Sequence, residues 1–165
     1  MPFIAAALLS LSLQQAPPPC KGAPYDDFDF WVGTWDVHGT NGQLAGRNVI
    51  TEEENGCLLV ERWTNTGGVT GQSYNFYDLE TESWRQVWVS GGITINYAGG
   101  LNEDGSMALQ GTIAYRQDPV ATFPFRGKWT PNEDGTVTQT FHQYNPQTEE
   151  WGVWFIGEYS RAEAE

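Results

Sequence analysis

From about residue 30 onward the chain alternates short apolar or alternating runs with turn-forming residues at hairpin spacing. This pattern predicts strands beginning near Phe30, Ala45, Cys57, Val69, Ser83, Ile93, Ser106, Ala121, Thr136 and Trp151. The separators include Gly39-Thr40-Asn41-Gly42, Asn55-Gly56, Ser90-Gly91-Gly92, Asn102-Glu103-Asp104-Gly105 and Asn132-Glu133-Asp134-Gly135. Asn-Gly and Asp-Gly supply the positive φ angles that tight hairpin turns require. Beyond the first residues, no segment long enough for a helix carries a 3.6-residue period. About ten strands joined by short hairpins form a meander, which removes its exposed edges most simply by closing on itself. The predicted fold is therefore all-β, an antiparallel up-and-down β-barrel of about ten strands. Pro124 falls within a predicted strand, so a bulge or an edge is expected there.

Composition agrees with strands. The 165 residues include 14% aromatics and 19 glycines. Two echoes occur along the chain: Asn-Glu-Asp-Gly at 102–105 and 132–135, and a Tyr-containing turn ending in Trp at 77–84 and 144–151. The first lacks the alternating carboxylates of a calcium loop. The second has the wrong separation for a propeller. Both read as hairpin turns. The balance of 8 basic and 21 acidic residues, net −13, argues against nucleic acid and anionic lipid surfaces as partners.

The start of the chain changes the expected location. The run Phe3-Ile-Ala-Ala-Ala-Leu-Leu-Ser-Leu-Ser-Leu13 is too short to span a bilayer and suits the core of a signal peptide over 1–16. A Pro-rich arm at 17–27 and one barrel domain at 28–162 follow. The expected location is outside the cytoplasm, periplasmic or extracellular. In such a compartment Cys20 and Cys57 can pair. The rival reading makes Cys20 a lipid-bearing N-terminus, although Pro17-Pro18-Pro19 is a poor lipidation signal.

Gly33-x-Trp35, opening the first strand after a short arm, resembles the Gly-x-Trp signature of lipocalins and fatty-acid-binding proteins. There the Trp closes the barrel floor and an Arg from the last strand covers it; Arg161 stands where that Arg would come from. A longer series extends the likeness. It comprises Cys20, Phe28-Asp-Phe-Trp-Val-Gly-Thr-Trp-Asp-Val37, Gly46–Ile50, Gly56-Cys57-Leu-Leu-Val-Glu61-Arg-Trp63 and Gly71–Asp78. It continues through Trp84–Val89, Arg126-Gly-Lys-Trp129, Asp134–Gln139 and Gly157-Glu-Tyr159. Together these resemble a family of exported bacterial proteins with a lipocalin-like (calycin-type) barrel. The resemblance implies that fold and a Cys20–Cys57 bridge, and it carries no established activity. The turn at 145–148 departs from the family's usual Asp-Gly-Gly type.

Strand alternation puts Cys57, Leu59, Glu61 and Trp63 on one face. Gly71, Ser73, Asn75 and Tyr77 share another, as do Trp84, Gln86 and Trp88, and Val137, Gln139, Phe141 and Gln143. If these faces point inward, they enclose an aromatic cavity with a few polar groups, the usual make-up of a small-molecule site. The candidate ligand-binding residues are Glu61, Trp63, Asn75, Tyr77, Gln86, Trp88, Arg126 and Gln139, with Arg126 expected to balance Glu61. The expected partner is a small apolar or amphipathic molecule, with no cofactor and no catalytic residue assigned. Two alternatives remain: a filled barrel acting through its surface, and an enzyme using Glu61 as general acid or base. Two histidines exclude a histidine-rich metal site. A haem would need His142, which alternation places with Thr138 and Thr140 on the outer face.

Overall fold

The computed structural model describes residues 20–163. The expected signal peptide at 1–16 lies outside these residues, as does the start of the arm. Among them are ten strands: β1 Gly33–Gly39, β2 Leu44–Glu53, β3 Leu58–Asn65, β4 Thr70–Asp78 and β5 Ser83–Ser90. The remainder are β6 Ile93–Leu101, β7 Met107–Tyr115, β8 Ala121–Pro131, β9 Val137–Asn145 and β10 Glu150–Arg161. Each strand pairs antiparallel with its sequence neighbours, and β1 pairs with β10 to close the barrel. The closed ten-stranded architecture is compatible with a calycin-like fold. No helix among the described residues is long and apolar enough to cross a membrane.

Nine strands begin within one residue of the predicted position. The first begins later, because Phe30 belongs to a 3-10 helix, Tyr25–Trp31. This helix plugs the end of the barrel where the β2–β3, β4–β5, β6–β7 and β8–β9 hairpins gather. Phe28 and Trp31 stack with ring centroids 5.0 Å apart, and Phe28 meets Trp84 and Trp129 edge-on. Both plug residues are fully buried. Burying several such rings supplies a large share of the apolar driving force. The Trp84 indole N–H donates to the Pro24 carbonyl (3.0 Å), tying the arm to β5.

The Gly33 backbone has φ of 140°, which strains any side chain, and a Cβ there would lie 1.8 Å from an Arg161 guanidinium nitrogen and displace it. Trp35 is fully buried, and its N–H donates to the Trp31 carbonyl (2.8 Å). The same end carries the Cys20–Cys57 disulfide, with Cα atoms 5.0 Å apart. The bridge occupies the Cys20 sulfur and leaves no thiol there for a lipid. Pro124 keeps its register opposite Thr112 without a bulge, and pairing with β9 starts only at Phe125. Its missing N–H is tolerated on a stretch paired along one side. In the two Asn-Glu-Asp-Gly turns, Asp104 accepts from the Ser106 backbone and Asp134 from the Thr136 backbone, each at 3.0 Å. These carboxylates serve the turns.

Candidate functional site

The other end of the barrel, bearing the β1–β2, β3–β4, β5–β6, β7–β8 and β9–β10 hairpins, is not plugged. A cavity of about 260 Å³ opens there. Its walls are chiefly Trp63, Trp88, Phe141, Trp154 and Phe155, and its floor carries Glu61, Gln86, Tyr97, Gln139 and Tyr159. Small residues make the room: a Cβ on Gly71 would strike the Trp88 indole at 2.2 Å. Trp154 and Phe155 both line the cavity although they are consecutive in β10. A register shift between Val153 and Phe155 makes this a bulge, which defeats the usual alternation. The Trp154 N–H donates to the Tyr115 hydroxyl (2.9 Å), so its ring spans β9 and β8 towards β7 and covers part of the mouth.

The floor is a buried hydrogen-bond network centred on Glu61. The carboxylate accepts from Asn48 Nδ2 (2.7 Å) and Ser73 Oγ (2.6 Å). Asn75 donates to Ser73 (2.9 Å), Gln86 to Asn75, and the Tyr97 hydroxyl to Gln86. Every bond in this chain of four runs in one direction, from Tyr97 to Glu61, so each polarises the next and the protons converge on the carboxylate. On the other side Asn48 also donates to Tyr159 (3.2 Å), whose hydroxyl donates to Gln139 (2.9 Å). The Asn48 side-chain carbonyl oxygen is buried and has no partner among the described residues.

Burial pushes the Glu61 carboxyl up to about 7, against the opposing pull of its bonds from Ser73 and Asn48. No cation is among the groups that shift it. Burial, aided by the charge of Glu61, holds the Tyr97 and Tyr159 hydroxyls well above the ordinary tyrosine range.

The structure gathers Glu61, Trp63, Gln86, Trp88 and Gln139 around the cavity, with Asn75 buried behind Gln86. Tyr77 lies lower, edge-on to Tyr25 near the plugged end. Arg126 does not join the floor. Its neighbours Phe125 and Gly127 are buried, so alternation turns Arg126 outward, where its guanidinium sits 4.4 Å from the Trp151 ring centroid. Neutral donors and a raised pKa take the place of the expected ion pair at Glu61. His142 shares the outer face, opposite Arg126. Among the described residues no three His, Cys, Asp or Glu side chains are grouped to hold a metal.

Sequence reasoning missed Asn48, Tyr97, Tyr159 and Trp154. Alternation within β2, β6 and the end of β10 carries the first three, since Asn48 and Ile50, Ile95 and Tyr97, and Gly157 and Tyr159 are buried together. Nothing local in the sequence marks the bulge at Trp154. No protein-family model matches the chain, and no curated protein is significantly similar to it.

Proposed function

We propose that the protein is an exported barrel that holds a small, partly apolar molecule in the open-ended cavity. The observation carrying this reading is the contrast between the two ends. One is filled by Phe28, Trp31 and Trp129, while the other keeps about 260 Å³ between aromatic walls and a polar floor. Such a volume sits near the lower end of small-molecule pockets, roughly 300 Å³. Export is supported by the disulfide, which persists in oxidising compartments, and by the resemblance to the exported bacterial family with calycin-type barrels. A filled barrel acting only through its surface is disfavoured by the same cavity.

The test is calorimetric titration with 2-naphthol, a small neutral aromatic. The expected result is one site per chain, weakened by about tenfold or more in Ala45→Phe, which blocks the cavity wall near the mouth. No saturable binding, or equal binding by both proteins, would overturn the proposal.

A second reading has its own support. A carboxyl with a pKa near 7 that lines a cavity is suited to moving protons, so Glu61 can serve as general acid or base. In that case Glu61→Gln abolishes turnover. Under the binding reading the same change alters affinity alone.

A further inference from the structure

We infer that the cavity selects an organic cation, namely a small amine or quaternary ammonium carrying a flat apolar arm. This deepens the reading of the cavity as a binding site and rests on it.

The Glu61 side of the floor offers a ligand spare acceptor capacity. Each Glu61 oxygen accepts one bond from the chain, whereas a carboxylate oxygen has room for a second. The donor chain from Tyr97 through Gln86, Asn75 and Ser73 spends its hydrogens inward, ending on that carboxylate. A ligand that brings N–H donors therefore meets unused acceptor capacity at Glu61. One that brings only acceptors can meet the Gln139 amide but leaves the Glu61 carboxylate without a partner.

Charge leads to the same choice. A buried carboxylate without a cationic partner is costly, and a ligand ammonium supplies the missing partner. Around it stand Trp63, Trp88, Trp154 and Phe141, whose ring faces attract a cation in a desolvated site. The excess of 21 acidic over 8 basic residues draws cations towards the molecule and repels anions. Leu44, Val69, Val89 and Val120, all exposed on or beside the hairpins of the open end, give that rim an apolar character suited to the ligand's arm.

Three compounds with closely similar phenyl arms and different heads test the inference on the unmodified protein: 2-phenylethylamine, 2-phenylethanol and 3-phenylpropanoate. Titrations run at about pH 8, where Glu61 is ionised while Tyr97 and Tyr159, the titratable groups facing it, keep their protons. The expected order is amine, then alcohol, then carboxylate, with the amine ahead of the alcohol by about tenfold or more. Glu61→Gln should bring amine and alcohol to within about twofold of each other. Should the alcohol or carboxylate match or exceed the amine, the cation inference falls and the binding cavity stands. If none of the three binds and 2-naphthol also fails, both readings fall together. Because the ligand series needs no variant, a misfolded Glu61→Gln protein would not blunt the test.

Discussion

The guanidinium of Arg161 lies over the indole of Trp35, its central carbon 3.7 Å from the ring centroid, while donating to the Val32 carbonyl at 2.7 Å. The two residues face each other across the closing pair of strands, β1 and β10. Gly33 provides the space in which the guanidinium sits. Gly33→Ala should lower the unfolding free energy by roughly 2–3 kcal/mol, through both the clash and the strained φ. Arg161→Ala should cost about 1 kcal/mol by loss of the cation–π contact. Urea titrations measure both, and an unchanged midpoint for Gly33→Ala would contradict the geometry.

Glu61 makes stability depend on pH in a definite direction. Its carboxyl titrates near 7 in the folded protein against an ordinary value of 4.5, so the folded state retains a proton that the unfolded chain has released between those values. Stability from this group is therefore greatest below about pH 4.5, falls as pH rises, and levels off above about pH 7. The drop is roughly 3 kcal/mol. Other carboxylates add their own slopes, so the informative quantity is the difference between the wild type and Glu61→Gln in urea at pH 5 and pH 8. A difference that does not change between the two pH values would contradict the burial of an ionisable group there.

The Cys20–Cys57 bridge closes a loop of 37 residues at the plugged end. Replacing both cysteines by serine should remove roughly 4 kcal/mol on the loop-entropy account. Affinity for 2-naphthol should remain, because the bridge is remote from the cavity lining. Loss of binding by a variant that is still folded would mean that the two ends of the barrel are coupled.

Trp154 covers part of the mouth through its bond to Tyr115. Trp154→Ala should raise the 2-naphthol dissociation rate by about tenfold, with a smaller change in the association rate. Stopped-flow fluorescence separates the two. An unaltered dissociation rate would show that the indole does not restrain the ligand.

Much of the barrel is legible from local chemistry. Turn residues carry their own backbone preferences, so nine strand starts can be read to within one residue. Phe28, Phe30 and Trp31 mislead because a plug and a strand share the same apolar composition, and only the tertiary setting separates them. Alternation carries the inward set through Glu61, Gln86 and Gln139. It would also have placed Arg126 outside, had the demand for a counter-charge not overridden it. That demand is met differently here, by neutral donors and by a carboxyl that holds its proton more tightly. Trp154 stays hidden because a bulge is a property of paired strands and has no signature in one of them.

All but one of the strand pairs join neighbours in sequence; the exception brings Trp35 together with Arg161. Contact order is thus low everywhere except at a single seam, whose two halves lie at opposite ends of the barrel sequence. The nascent chain can form hairpins as they emerge, yet the barrel cannot be sealed until its last strand has been made. Until then β1 and β9 present unpaired edges, which invite association with other chains. Removing β10 would make that exposed state permanent, so truncation should yield aggregates rather than a smaller barrel.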